Sequence, residues 1–205
     1  MIARDSFAAR VDAANLSLAL FELPMKRYIL TGTPGCGKTS IIRSLEVAGY
    51  LVVEEAATDI IALQQAQGIA EPWTRASFID DIANLQRQRQ VLVADLTTPI
   101  QFYDRSPLCT YALSRWLGYP ISKTLSKEIE RINAEGIYEK QVFFIENLGF
   151  CAPTAARKIG FEESLRFESV HEETYSSFGY DLIKVSAGEL SARVDQVKSY
   201  ALASS

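Results

Sequence analysis

Gly32-Thr33-Pro34-Gly35-Cys36-Gly37-Lys38-Thr39 satisfies G-x-x-x-x-G-K-[ST] at every defining position, and no other stretch constrains the chain as tightly. The pattern needs a tight backbone turn whose N–H groups converge on phosphate oxygens, and Gly32, Gly35 and Gly37 allow that turn. Lys38 is long enough to reach the terminal phosphates of a nucleotide, and the Thr39 hydroxyl suits Mg²⁺. A helix starting here would add its positive dipole end to the same anion site. The flanks agree: Tyr28-Ile29-Leu30 reads as a buried strand. Ile41, Ile42, Leu45 and Ala48 recur at helical spacing, and Gly49 closes that helix. A chance glycine-rich turn would not need the order strand, loop, helix. The expected nucleotide contacts are Gly32, Thr33, Pro34, Gly35, Cys36, Gly37, Lys38, Thr39 and Ser40, with the Cys36 thiol near solvent until nucleotide covers it.

Bulk properties exclude several classes. The net charge of −4, from 21 basic and 25 acidic residues, gives no broad surface for a nucleic-acid polymer. Cys36, Cys109 and Cys151 have no metal-site spacing, and with His171 as the single histidine a zinc site is excluded. Reduced thiols suit the cytoplasm. No apolar run approaches the ~20 residues of a membrane span. The 205 residues suffice for one domain with a sizeable core. Residues 1–24 read as an N-terminal extension with helical spacing at Phe7, Val11 and Leu18, either an appended helix or a leader upstream of Met25; the nucleotide-binding domain is placed at 25–205.

Along that domain, Tyr50 to Val53 reads as a strand ending in Glu54-Glu55; alternation sends only one of these carboxylates into a site beyond the strand ends. A helix follows from Ala56 to Ala66 with Ile60, Ile61 and Leu63 inward. Ser77 reads as the N-cap of a long helix whose inner face is Phe78, Ile82, Leu85, Leu92 and Leu96, as far as Thr97. The run Gln86-Arg87-Gln88-Arg89-Gln90 reads as a solvated face, and Asp80-Asp81 falls in helical spacing that argues against a Walker-B strand. Ile100 to Tyr103 is a strand delivering Asp104-Arg105 at its carboxyl end, and Ser106-Pro107 supplies an N-cap and a first-turn proline. After a helix at Ser122 to Asn133, Gln141 to Ile145 is a fully apolar and so interior strand. Glu146 after it is a minor Walker-B alternative. From Leu148 to Gly160 the pattern reads as a mobile loop carrying Arg157 and Lys158, with Arg166 just beyond: either a lid, bounded at 148–166, or a merely solvated loop. A helix from Phe161 to Phe178 contains His171, read as a surface or boundary residue; a strand at Tyr180 to Val185 and a terminal helix complete the chain. Five strands separated by helices predict an α/β fold: a three-layer, doubly wound parallel sheet. By analogy with P-loop kinases, which the loop resembles, the loop-bearing strand would be central.

GTPGCGKTS at Gly32, VVEEAATDII at Val52, FYDRSP at Phe102 and the stretch from Tyr175 to Val185 resemble the AAA-type P-loop family that includes the kinase domain of bacterial ribosylnicotinamide kinases. The resemblance runs from about Tyr28 to the end of the chain and extends to nucleoside and nucleotide kinases. It implies ATP and Mg²⁺. It implies that Glu55 contacts an acceptor hydroxyl or acts as base, that Asp104 serves the metal through water, and that Arg105 positions the acceptor. Arg157 is implied as the lid arginine, with Arg166 next, alongside Lys38 in the loop and Thr39 on the metal. Two positions depart from the family pattern: Thr58 stands where arginine is frequent, and Cys109 where an acid is common. The function implied is transfer of the ATP γ-phosphoryl group to a small, nucleoside- or nucleotide-like acceptor, with no nucleic-acid or membrane partner. The alternative is a nucleotide-dependent ATPase or switch acting on a protein partner. No N-K-x-D guanine motif is present to support a regulatory GTPase. The sequence leaves the oligomeric state open.

Overall fold

A computed structural model describes residues 25–94, 96, 98–149 and 160–204. The strands are β1 (Lys26–Thr31), β2 (Leu51–Val53), β3 (Ile100–Asp104), β4 (Gln141–Ile145) and β5 (Asp181–Val185). The helices are α1 (Lys38–Val47), α2 (Ala56–Ala66), α3 (Ser77–Leu92), α4 (Pro107–Trp116), α5 (Lys123–Ala134), α6 (Phe161–Ser177) and α7 (Leu190–Ala203), with a 3-10 turn at Pro72–Thr74. All strands pair in parallel, in the order β2-β3-β1-β4-β5. The loop-bearing strand is therefore central, as the resemblance implies, and β4 is interior, as its apolar character predicts.

Alternation along the strands builds two cores. Tyr28 and Leu30 face one layer, where they pack with Ile41, Leu45, Phe102, Phe143, Val194 and Val197 beneath α1 and α7. Ile29 points the other way, into Tyr103, Leu108, Leu125, Ile129, Val142 and Tyr175 beneath α4, α5 and α6. Tyr28 also lies with its ring centroid 6.1 Å from Phe102 and 5.6 Å from Phe143, so one aromatic ladder ties the three middle strands together.

Ser106 caps α4: its Oγ accepts from Leu108 N at 3.2 Å, with Pro107 in the first turn. The same oxygen lies 2.8 Å from the buried Tyr175 hydroxyl. Ser106→Ala is expected to cost about 1–2 kcal/mol of stability. The measurement is the urea midpoint, and an unmoved midpoint would show that the cap contributes nothing.

Several local expectations are corrected. Ser77 is the first helical residue, not the cap, and Ala76 precedes it without a side-chain bond. α3 stops at Leu92, because the chain must leave for β3; Gln101 Nε2 and Arg27 Nη2 bind the carbonyls of Val93 and Ala94 just beyond it. Leu92 is thus 79% exposed and Leu96 is exposed too. Leu63 is likewise outside, since α2 packs on Phe78 and Ile82 of α3 with a narrow face of Ala56 and Ile60. The Gln86–Gln90 run is not one solvated face: Gln90 is buried and accepts from Arg131 at 2.7 Å, whereas Arg87 and Gln88 are exposed. His171 is fully buried rather than a surface or boundary residue: from α6 its ring meets the Phe167 carbonyl and the Arg105 guanidinium. The extension at 1–24, and residues 150–159 of the expected lid, with Arg157 and Lys158, lie outside the described residues; 161–166 form the start of α6. Among the described residues no helix is long and apolar enough to cross a membrane.

Candidate active site

The carboxyl ends of β1, β2 and β3 meet at a cavity of about 700 Å³. Between β1 and α1 the glycine-rich loop forms its floor, with Pro34 through Ser40 on the wall. Gly32 admits no substitute: at φ 142° an added Cβ would stand 2.4 Å from the Ile145 carbonyl oxygen. The Cys36 side chain turns into the core and is 1% exposed, which overturns the expectation of a thiol near solvent. Thr39 and Ser40, in the first turn of α1, are exposed to the cavity.

Lys38 is nearly buried, and its Nζ lies 3.5 Å from Asp104 Oδ1 at the end of β3. That oxygen is itself buried and accepts no hydrogen bond. Among the described residues no cluster of three or more His, Cys, Asp or Glu side chains could cage a metal. A buried carboxylate oxygen with no hydrogen bond and only Lys38 at 3.5 Å, together with the exposed Thr39 hydroxyl of the phosphate loop, instead suits Mg²⁺, which keeps waters and takes few protein ligands. Asp104 and Thr39 are the residues that would hold it.

Glu55 ends β2 and opens α2. Its Oε1 accepts from Arg105 Nε at 2.5 Å and its Oε2 from Thr58 Oγ1 at 2.7 Å. Glu54 points oppositely, to Arg43 at 2.5 Å, as alternation requires. Burial pushes the Glu55 carboxyl up, but Arg105, then Lys38 and the Thr58 hydroxyl, outweigh it and hold the group at about 2. Thr58, which departs from the family pattern, thus has a use. Arg89 fixes this junction from behind: its Nη1 donates to the carbonyls of Glu54 and Glu55 at 2.9 and 2.7 Å, and its Nη2 pairs with Asp59.

Arg105 adopts φ 71°, a left-handed conformation that costs a non-glycine residue about 1–3 kcal/mol. Its N–H donates to the Leu30 carbonyl at 3.0 Å, and its guanidinium is held between Glu55 and His171, whose Nε2 lies 3.5 Å from Nη1. The His171 Nδ1–H donates to the Phe167 carbonyl at 3.0 Å. Burial opposes the charge on Arg105, but Glu55, then Cys109 and Asp104, raise its pKa above the ordinary value. Cys109, the other departure from the pattern, is part of the same cluster, with its Sγ 3.2 Å from Thr31 Oγ1 and 3.0 Å from the Tyr175 hydroxyl. Burial raises this thiol, yet the hydrogen bond to His171 and the charge of Arg105 bring it down to about 6.

Beyond the charged end, the cavity is walled by Trp73, Phe78, Ile82, Leu113, Trp116 and Phe167. Gln86 and Thr110 add polarity there, with Thr110 Oγ1 donating to Gln86 Oε1 at 2.8 Å. Sequence reasoning missed this half: its aromatic residues fall at helical spacing and read as core, and Gln86 was absorbed into a polar run. The structure brings together Lys38, Glu55, Asp104 and Arg105. It does not bring Arg166 to them; that residue is exposed on α6 and does not line the cavity.

A family model described as AAA domain matches residues 27–193. No curated protein matches. Among solved structures, the NadR protein in complex with NAD and AMP-PNP superposes with a TM-score of 0.61 at 16% identity, covering 86% of this chain and 49% of that one. The chain thus spans about half the length of that protein. Deoxyadenosine kinase from M. mycoides with bound dATP gives 0.52 at 13% identity, over 85% of this chain and 98% of that one. The same kinase with products dCMP and dCDP bound gives 0.55 at 13% identity, over 87% and 100%. At these identities the likeness is one of fold, and the fold is that of P-loop kinases.

Proposed function

The chain belongs to the AAA domain family, and within it we propose a small-molecule kinase, moving the γ-phosphoryl group of ATP to a nucleoside- or nucleotide-like acceptor. One observation carries this reading: a phosphate loop with its lysine and a Glu–Arg pair line one cavity whose far half is aromatic, with Asp104 buried against that lysine. A site built only to hydrolyse ATP needs no such second compartment. Phosphoryl transfer asks mainly for positioning and charge neutralisation. In this reading the loop from Gly32 to Ser40 holds the nucleotide phosphates and Lys38 lies against the transferring group. Mg²⁺, on Thr39 and Asp104, would neutralise charge between the terminal phosphates. Glu55 and Arg105 hold the acceptor hydroxyl in line, and the apolar wall excludes water and takes the acceptor's ring. Arg157 remains the proposed lid arginine.

The test is ATP consumption by the full chain against a panel of nucleosides, nucleotides and related ribosides. One or more acceptors is expected to raise turnover at least tenfold over ATP and Mg²⁺ alone. Brisk hydrolysis that no acceptor accelerates would replace the kinase reading with that of an ATPase.

A further inference from the structure

Arg193 stands outside every motif of the sequence, yet it reaches the underside of the phosphate loop from the first turn of α7. It is 4% exposed. Its Nη1 donates to the Cys36 carbonyl at 2.9 Å, inside the loop, and its Nη2 to the Glu146 carbonyl at 3.1 Å, at the end of β4. Its Nε is buried with no hydrogen-bond partner. An added Cβ on Gly37, at φ 82°, would meet Nη1 at 2.9 Å, so the guanidinium lies directly beneath the residue before Lys38. The Glu146 carboxylate is turned to Lys184 at 3.9 Å. Among the described residues no ion pair neutralises Arg193.

A buried guanidinium with no ion pair, on which the Glu146 charge acts only at longer range, and with an unpartnered Nε, is expensive for packing alone. Its position gives it a use. A loop that aims N–H groups at phosphate must turn carbonyls the other way, into the protein, where they need donors. In a planar trans peptide the C=O and the next N–H point oppositely. Pinning the Cys36 carbonyl therefore aims the Gly37 N–H away from Arg193, toward the cavity side of the loop. The second bond, to Glu146, ties that peptide to the rigid end of β4.

We infer that Arg193 is a positioning residue for the nucleotide: it locks the Cys36–Gly37 peptide in its phosphate-binding orientation and adds a fixed positive charge behind the loop. This rests on the reading of the loop as an ATP site. The reach from α7 to β4 and the loop also explains why the terminal helix belongs to the catalytic domain.

The experiment compares the full chain with Arg193→Met, which keeps the stem, and Arg193→Lys, which keeps the charge but can serve fewer carbonyls. Mg·ATP affinity is measured by calorimetry and folding by thermal unfolding. Met is expected to weaken Mg·ATP binding about 10- to 100-fold and Lys less, about 3- to 10-fold. The KM for ATP is expected to rise accordingly, with the acceptor KM at saturating ATP unchanged. If Met does not fold, Lys alone decides. A folded variant that binds Mg·ATP as the wild type does overturns the inference and leaves the ATP site standing. So does a loss that falls equally on the acceptor KM, since that is the mark of general loosening. No Mg·ATP binding by the wild type itself overturns both.

Discussion

Lys38→Ala is expected to lower phosphoryl transfer by about 10²–10³-fold, the loss seen when one preorganised charge stabiliser is taken from a water-excluded site. The same change strips a buried partner from Asp104, whose Oδ1 has no hydrogen bond to fall back on. Breaking a buried ion pair from one side costs about 3–5 kcal/mol of stability. Loss of activity could then be mistaken for loss of fold, and a second variant separates them. Lys38→Ala combined with Asp104→Asn removes the stranded charge, so it should recover most of the unfolding free energy while turnover stays low. Urea unfolding and initial rates on both variants make the comparison. Wild-type ATP affinity and turnover in the folded double variant would end the assignment of Lys38 to the phosphate site.

The legible part of this molecule is the part where residue type alone dictates backbone or charge. Gly32 and Gly37 carry the loop because their φ values exclude side chains, and that signature is local. The strand ends put Glu55, Asp104 and Arg105 beside the loop for a similar reason, since charges after an apolar run lie at the carboxyl edge of an open parallel sheet, although the same signature at Glu146 leads to Lys184 instead. The hidden part depends on contacts made across long sequence distances. His171 is buried because Arg105, 66 residues earlier, and the Phe167 carbonyl both meet its ring, and no periodicity records that. Arg193 sits 157 residues from the loop it holds. Trp73, Trp116 and Phe167 line a cavity with the same apolar character that elsewhere fills a core, so pattern cannot distinguish lining from packing. Helix ends were misjudged where polar geometry rather than hydrophobicity set them, as at Ser77 and Leu92.

Glu55→Gln is expected to leave Mg·ATP affinity within about twofold and to lower acceptor-dependent transfer by about 10²–10³-fold. The reason is not simple basicity. With Arg105 2.5 Å away the Glu55 carboxyl is held at about 2, far too acidic to take a proton well at neutral pH. Its negative charge instead holds Arg105 against the backbone strain at φ 71° and presents a strong acceptor to an incoming hydroxyl. Phosphoryl transfer through a loose transition state asks little of a base until bond formation is advanced, so orientation is the larger part. Glutamine keeps the shape but loses the charge that organises Arg105, and should lose transfer for that reason. Arg105→Ala should raise the acceptor KM more than the ATP KM. The pH dependence follows from the same pair. A carboxyl lowered in the folded state contributes stability that is present above its unfolded value of 4.5 and lost as pH falls toward about 2. Wild type should therefore show no acid limb from Glu55 as pH falls from 7 to 5, in either kcat/KM or unfolding free energy. Steady-state rates for wild type, Glu55→Gln and Arg105→Ala over that range, with the best acceptor from the panel, supply the measurement. A limb in the wild type that vanishes in Glu55→Gln would mean the carboxyl titrates as an ordinary base and the Glu55–Arg105 pair does not organise the acceptor site.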